Sequence, residues 1–243
     1  MEIAGETHRG HIRPRNEDRI DWDEDAGVAV LADGMGGLPY GQEAARLAVE
    51  AVIRIAQTHH GSDHTWLESG GDPADLVQLA NRAVLSYTER DRRYEGMGTT
   101  LALVCAAPDE VAIAHVGDSR VYRFQEGALE CLTQDHTPVQ QALAAGAMSE
   151  TEARRSPERN VLERALGAVT WAEPDVHRLP RRSGDLFLLC SDGLTELVDE
   201  ERIRTILTEG ADHSSLAERA HKLIEAALDA GGTDNVSVIL ART

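Results

Sequence analysis

Short apolar runs recur along the chain, and most are bounded by glycine, aspartate, asparagine or proline. Runs of this length and composition are typical of β-strands. They predict strands over residues 2–7, 26–32, 99–106, 110–117, 120–124, 129–132, 174–179, 185–190 and 235–241. Several runs follow one another without an intervening helix, which favours antiparallel sheets over the strand–helix alternation of a Rossmann fold.

Apolar side chains at helical spacing predict helices over residues 40–57, 73–93, 199–208 and 213–229. Asp72 and Pro73 mark the start of the second helix, because aspartate is a good N-cap and proline suits the first helical turn. We therefore expect helices on the outer faces of the sheets.

Three segments lack a regular pattern. Residues 59–73 are rich in glycine, serine and aspartate and predict a loop. The acids Asp21, Asp23, Glu24 and Asp25 are interpreted as a solvated turn. Residues 135–165 combine short helical stretches with helix breakers, and no long strand is predicted there; we interpret them as an inserted flap.

The composition limits the possible classes of protein. A chain of 243 residues with no evident linker fits one domain over residues 1–243. Its net charge of −18 argues against nucleic-acid binding, which depends on basic side chains that neutralise phosphates. No apolar run approaches the length needed to span a bilayer, and the first residues lack the features of a signal peptide. We expect a cytoplasmic monomer with free, buried thiols at Cys105, Cys131 and Cys190.

Four aspartates share one local setting. Asp33, Asp118 and Asp192 each end an apolar run beside glycine or serine, and Asp234 precedes the final run. If the fold brings these strand ends together, four carboxylates meet at one rim and repel one another. Mg²⁺ and Mn²⁺ prefer oxygen ligands and would neutralise such a cluster.

Two further segments carry candidate chemistry. HIRPRNEDR at residues 11–19 places Arg13 and Arg15 near Glu17 and Asp18, and arginine matches the geometry of a phosphate group. ADGMGG at residues 32–37 is not a phosphate-binding Walker loop, because no Lys-Ser/Thr pair follows. Its glycines would let the backbone approach an ion closely. Taken alone, the first segment is more simply interpreted as a solvated charged turn.

Six short motifs, in order, resemble the metal-dependent serine/threonine phosphatases of the protein phosphatase 2C family. They are R-x-x-x-E-D at 13–18, ADGMGG at 32–37, GMGTT at 96–100, GDSR at 117–120, SDG at 191–193 and DN at 234–235. The segments at 132–140 and 159–167 also resemble the flap region of the bacterial, stand-alone members. The resemblance spans roughly residues 5–240.

The resemblance implies an α+β fold, a four-layer α-β-β-α sandwich of two mainly antiparallel sheets flanked by helix pairs, with the flap as an insertion. It also implies two Mg²⁺ or Mn²⁺ ions and a third beside them. Asp33 would bridge two ions, the Gly34 carbonyl would bind one of them, and Asp192 and Asp234 would bind the other. Asp118, together with Asp192, would form the third site.

The same resemblance assigns roles to four other residues. Glu17 and Asp18 would act through metal-bound water, and Arg13 would bind the substrate phosphate. Asn235 would support Asp234 and the metal-bound waters. A metal-bridging hydroxide would then attack phosphorus in line with the leaving serine or threonine oxygen.

This mechanism needs no protein nucleophile. It does not by itself identify the group that donates a proton to the leaving oxygen. Cys190 lacks the CX₅R loop of cysteine phosphatases, because position 196 is Glu. Met35 stands where animal members carry a histidine suggested as the general acid. A metal-bound water is then the simplest donor. His115 and His136 are alternatives, although a lone histidine in an apolar run more often packs in the core.

The expected partners are phosphoserine and phosphothreonine proteins and a cognate kinase. Arg154, Arg155 and Arg159 in the flap either pair with Glu150, Glu152 and Glu158 or contact the substrate. Two other functions remain possible: a non-catalytic relative that binds a phosphoprotein, and a phosphatase of small molecules on the same fold.

Overall fold

The sheet architecture is seen in a computed structural model that describes residues 1–35, 40–59, 62–209 and 214–243. Two antiparallel sheets pack face to face. Helices cover the outer face of each sheet. This is the four-layer α-β-β-α sandwich, and the fold prediction is confirmed.

The strands, in chain order, are β1 (Glu2–His8), β2 (Asp18–Asp23), β3 (Val28–Met35), β4 (Gly98–Thr99), β5 (Leu101–Ala106), β6 (Glu110–Val116), β7 (Arg120–Gln125), β8 (Ala128–Cys131), β9 (Asp175–Pro180), β10 (Leu186–Cys190) and β11 (Val236–Arg242). One sheet has the order β1-β11-β10-β7-β8. The other has the order β2-β3-β5-β6-β9, and β4 pairs with the end of β3.

The α-helices are α1 (Gly41–Ala56), α2 (Pro73–Arg90), α3 (Pro138–Ala144), α4 (Glu150–Arg155), α5 (Asp192–Thr195), α6 (Glu200–Glu209) and α7 (Leu216–Asp229). Short 3₁₀ helices follow α1 and α2, at Gln57–His59 and Arg92–Tyr94. The Asp72 side chain caps α2 by accepting the Ala74 N–H, as predicted.

Three apolar cores hold the layers together. Between the sheets, alternate residues of facing strands meet, among them Ile113, Phe187 and Ile239. The outer cores pack α1 and α2 on one sheet, and α6 and α7 on the other. The central strands β5 and β10 are buried at every position, which explains why they read as continuous apolar runs.

The interpretation of residues 21–25 as a solvated turn is wrong in part. Asp21 and Asp23 lie in β2, and the Asp23 carboxylate is buried and accepts the Ala26 N–H. The strand was missed because four of the six residues in its sequence, DRIDWD, are charged. β2 lies at the edge of its sheet, where charged side chains are tolerated.

Smaller differences lie at element ends. The strand predicted over residues 26–32 continues to Met35. α7 begins at Leu216 with a capping box from Ser215 and Glu218, and residue 213, predicted helical, lies outside the described residues. Cys105 and Cys190 are buried free thiols as expected, whereas Cys131 is exposed because β8 is an edge strand.

The segment predicted as a flap, residues 135–165, contains only α3 and α4 as regular elements. Both helices are capped by hydroxyl side chains, Thr137 on α3 and Ser149 on α4. α3 contributes Val139 to the buried interior, and α4 contributes Ala153. We keep the name flap for residues 135–165.

Candidate active site

The predicted carboxylates meet at one end of the sandwich. Asp18 begins β2 and pairs in register with Asp33 near the end of β3. Asp192 follows β10 and opens α5, while Asp234 lies two residues before β11. Asp118 lies in the turn between β6 and β7. Strand ends from both sheets therefore converge on one rim.

A cavity of about 570 Å³, here called the catalytic cavity, opens at this rim. Its lining includes most of the predicted site residues: Arg13, Pro14, Arg15, Glu17, Asp33, Gly34, Met35, Thr100, Asp118, Asn160, Leu162, Asp192, Asp234 and Asn235. Asp18 is not part of the lining; it lies beside Asp33, 6% exposed. Neither His115 nor His136 lines this cavity, which leaves them poorly placed as proton donors.

Asp33 is held by two threonines of the GMGTT motif. Its N–H donates to Thr100 Oγ1 at 2.9 Å, and its carbonyl accepts the Thr100 N–H at 2.9 Å. Thr99 Oγ1 also donates to the Asp33 carbonyl at 2.9 Å. Thr100 Oγ1 in turn lies 2.7 Å from Ser119 Oγ, next to Asp118. Thr100 thus links the backbone of Asp33 to the side chain of Ser119, the neighbour of Asp118.

Asp18 is oriented by two serines. Ser191 Oγ and Ser237 Oγ donate to Asp18 Oδ2, at 2.9 and 2.6 Å. Asp18 Oδ1 is buried and has no hydrogen-bond partner among the described residues. Sequence reasoning missed the role of Ser237, although a lone serine within the apolar run NVSVIL is a usable signal.

Asn235 fixes the loop that carries Arg13 and Glu17. Its side-chain oxygen accepts the Glu17 N–H at 2.8 Å, and its amide donates to the carbonyls of Arg9 and Arg15 at 3.0 and 2.8 Å. Its own backbone N–H donates to Asp234 Oδ1 at 2.7 Å. Asn235 therefore contacts Asp234 through its backbone, while its side chain supports the loop.

Arg13 forms an ion pair with one predicted ligand. Its Nη2 lies 2.6 Å from Asp234 Oδ2, and its side chain is 54% exposed. The hydrogen bond to Asp234 raises the pKa of Arg13, so the guanidinium is charged at all relevant pH values. Its exposure leaves it able to contact a ligand that enters the catalytic cavity.

The fold raises the pKa values of several carboxylates at the rim. Burial, and then the charges of the neighbouring aspartates, raise the pKa values of Asp33 and Asp192 well above their ordinary range. Burial also raises the pKa values of Asp18 and Asp118 to about 6. A cluster of this kind is unfavourable when ionised unless a cation neutralises it.

The residues present fit divalent cations. The rim offers several carboxylates in close proximity, and the unpartnered Asp18 Oδ1 lies beside Asp33. Gly34 packs so closely against the Gly41 carbonyl that a side chain at position 34 would clash. Position 34 therefore contributes only backbone atoms to the rim. Gly36 and Gly37, also predicted to approach an ion, lie outside the described residues.

A second group has metal-like composition but is a hydrogen-bond network. His115, His136 and Asp175 place one potential ligand atom each within 4.8 Å of one another. His115 Nε2 donates to the Gln134 carbonyl, and His136 Nδ1 accepts the Gly117 N–H. The network supports the turn that carries Asp118.

The Arg164 guanidinium argues against a cation in this network. It lies 3.3 Å from His136 Nε2 and 2.8 Å from Asp175 Oδ1. Burial lowers the pKa of His115 to about 4 and also lowers that of His136, so both rings are neutral at pH 7. The expectation that His115 packs in a strand is confirmed.

Cys190 is unsuited to nucleophilic chemistry. Its thiol is fully buried in the outer core beneath α6 and α7, and burial raises its pKa. A protonated, inaccessible thiol cannot attack a phosphate ester. This agrees with the absence of the cysteine-phosphatase loop.

The chain belongs to the protein phosphatase 2C family, which its sequence matches over residues 4–229. It is 38% identical over 241 residues to the serine/threonine protein phosphatase PstP of Mycobacterium tuberculosis, covering 99% of this chain and 45% of that protein. It therefore spans about half the length of that relative. It is also 36% identical over 248 residues to the serine/threonine phosphatase stp of Listeria monocytogenes, covering 99% of this chain and 95% of that protein.

A solved relative carries metal ions. The catalytic domain of PstP in complex with two manganese ions superposes with a TM-score of 0.85, at 35% identity, and covers 99% of this chain and 97% of that one. The family resemblance predicted from the motifs is thus confirmed. Within the described residues, no helix has the length and apolarity required to cross a bilayer.

Proposed function

We propose that this protein hydrolyses phosphoserine and phosphothreonine in proteins, in a reaction that depends on Mn²⁺ or Mg²⁺. One observation carries the proposal: four aspartates and Arg13 line one cavity, and burial raises the pKa values of three of these aspartates, Asp33, Asp118 and Asp192. Membership in a family of protein phosphatases supports it.

The ligand assignment follows the sequence prediction. Asp33, the Gly34 carbonyl, Asp192 and Asp234 would hold two divalent cations, and Asp118 with Asp192 a third. Glu17 and Asp18 would act through intervening water. When bound, such cations lower the pKa of water, so that hydroxide is available near neutral pH, and offset negative charge on a phosphoryl group.

The chain's own residues bind and orient the substrate. Arg13 would exchange its contact with Asp234 for the phosphoryl oxygens, with two parallel hydrogen bonds from its guanidinium. Ser191 and Ser237 keep Asp18 Oδ2 occupied, while Oδ1 has no hydrogen-bond partner among the described residues. Asn235 holds the loop of Arg13 in register with the rim. Met35 has no proton to give, so water remains the simplest donor to the leaving oxygen.

The biological setting is proposed from the class of protein. The enzyme would act as a cytoplasmic monomer, with residues 1–243 as one catalytic domain and the flap at its rim. It would oppose a bacterial serine/threonine kinase and dephosphorylate that kinase or its substrates.

Phosphate release from phosphothreonine peptides, p-nitrophenyl phosphate and sugar phosphates tests the proposal. We expect turnover of the peptides with Mn²⁺ and none with EDTA. Absence of metal-dependent turnover on every substrate would indicate a non-catalytic binding protein. Faster turnover of sugar phosphates than of peptides would indicate a small-molecule phosphatase.

A further inference from the structure

A second, larger cavity adjoins the catalytic cavity. It has a volume of about 870 Å³, and we call it the flap cavity because α3 and α4 form one wall while α5 and the start of α6 form the other. Asp118, Asn160 and Asp192 line both cavities. A substrate peptide whose phosphorylated side chain enters the catalytic cavity would therefore continue into the flap cavity.

The lining of the flap cavity is strongly acidic. Seven carboxylates line it, against two arginines; two of the seven, Asp118 and Asp192, are predicted metal ligands, and the other five remain for contact with a substrate. Arg120 is already paired with Asp135, at 2.7 Å. Glu200 forms no ion pair with any part of the chain that the structure describes. The cavity thus carries a negative charge that its own arginines do not balance.

Apolar side chains line part of the flap cavity. Val139 and Leu143 of α3 face it from one wall, and Leu197 and Val198 from the other. A lining that combines apolar side chains with carboxylates suits arginine and lysine, whose aliphatic stems contact apolar surface while their charged ends reach polar groups. The shape and charge of the cavity are therefore complementary to a basic side chain.

One guanidinium of the chain itself already lies in this cavity. Arg159, from the flap, places Nε 3.4 Å from Glu196 Oε1 beyond the end of α5. Its side chain is 52% exposed, so the pair is open to exchange with solvent and ligand. Glu196 was not among the partners predicted for the flap arginines. The contact shows that a guanidinium fits between the two walls.

We infer that the flap cavity binds the segment that flanks the phosphorylated residue of the substrate, and that it selects a basic side chain there. The substrate arginine or lysine would displace Arg159 from Glu196 and approach Glu200. This inference rests on the proposed phosphatase function. It names the class of substrate: phosphoproteins with arginine or lysine near the phosphorylated serine or threonine.

Matched phosphothreonine peptides test this selection. The set carries arginine on the N-terminal side, arginine on the C-terminal side, glutamine at both places, or glutamate at both. We expect kcat/KM with Mn²⁺ to be about threefold or more higher for an arginine peptide than for the glutamine peptide, the size of a partly screened ion pair. The preference falls as salt is raised.

Three variants locate the effect. Glu196→Gln and Glu200→Gln should reduce the ratio of arginine to glutamine peptide turnover toward one. Arg159→Gln should increase the ratio, because a competing guanidinium is removed. Glu201→Gln is the control: it removes the same charge from the same helix, but Glu201 pairs with Arg204 and does not line the cavity. The ratio within each variant cancels changes in overall activity.

The outcomes separate this inference from the function on which it rests. Turnover of every peptide with no preference for arginine, or equal ratios in Glu200→Gln and Glu201→Gln, overturns the inference and leaves the phosphatase function intact. A lower ratio in Arg159→Gln also overturns it, since Arg159 would then aid binding. No metal-dependent turnover of any peptide contradicts the proposed function itself.

Discussion

The rim and the flap are adjacent but are built in opposite ways. At the rim, hydrogen bonds hold both the N–H and the carbonyl of Asp33, and two buried hydrogen bonds hold one oxygen of Asp18. The flap has two short helices, and Val139 and Ala153 are their residues in the buried interior. The contrast indicates a division of roles, in which the rim fixes groups for chemistry and the flap presents a surface to the substrate.

The strongest test of the rim is removal of one of its charges. Asp192→Asn keeps the size and the polar character of the side chain but removes a predicted metal ligand. We expect phosphatase activity to fall by more than about 100-fold, the upper limit typical of residues that only support ligands. Thermal unfolding of the metal-free variant should occur no lower than that of the wild type, because burial destabilises the charged Asp192.

An Asp192→Asn variant that loses activity only because it is unfolded would not test the role. Circular dichroism of both proteins distinguishes the two cases. A folded variant with near-normal turnover would remove Asp192 from the metal site.

Serines beneath the rim should have a smaller effect. With Ser191→Ala and Ser237→Ala combined, Asp18 loses the two donors that hold Oδ2. We expect Mn²⁺ affinity, measured by calorimetry, to weaken by about 10–100-fold, as is typical for groups that orient metal ligands. Ser69→Ala, at an exposed hydroxyl in the loop before α2, should leave the affinity unchanged. Equal affinity in the double variant would show that Asp18 needs no orientation.

Loss of the hydrogen bonds that hold the segment after the flap should lower the free energy of unfolding. The Asn81 side chain donates to the carbonyls of Val169 and Thr170 and accepts the Gly167 N–H, at 3.3 Å or less. Asn81 itself is fully buried, and Asn81→Ala leaves these partly buried backbone groups without their partner, so unfolding in urea should show a loss of about 1 kcal/mol or more. Arg82→Ala, on the exposed side of the same helix, is the control and should change stability by less than about 0.5 kcal/mol. Similar losses in the two variants would contradict this role for Asn81.

The smallest expected effect concerns an ion pair outside the rim and the flap, between His221 and Glu6. The hydrogen bond to Glu6 raises the pKa of His221 above its ordinary value. Because the folded-state pKa is raised, the contribution to stability is present below about pH 6.5 and is lost as the pH rises through the folded-state pKa. The difference in Tm between wild type and His221→Gln should therefore be larger at about pH 5.5 than at about pH 8.5. A difference independent of pH would show that the charged pair contributes nothing.

The rim and the flap also differ in how much of each could be predicted from the sequence. Asp33, Asp118, Asp192 and Asp234 were recognisable because each ends or precedes an apolar strand, and strand ends meet at a sheet edge. β2 was missed because an edge strand need not be apolar. Local pattern gives no register between distant strands, so it could not show that Ser237 reaches Asp18 across 219 positions in the chain.

The flap was predicted as an irregular insertion, but its contacts were not. Arg159 was expected to pair within the flap or to contact the substrate, whereas it reaches Glu196 across the flap cavity. Ion pairs between exposed side chains are weak and depend on how separate segments are placed. They follow from the tertiary structure and cannot be read from charge spacing alone.

The most direct measurement is phosphate release from a phosphothreonine peptide as Mn²⁺ is titrated into metal-free protein, with Asp192→Asn measured alongside. We expect wild-type turnover to rise from background to saturation, to be abolished by EDTA, and to stay near background in the variant at the same Mn²⁺ concentrations. Turnover by the wild type in EDTA, or a variant that matches the wild type, would contradict a metal-dependent phosphatase built on this rim.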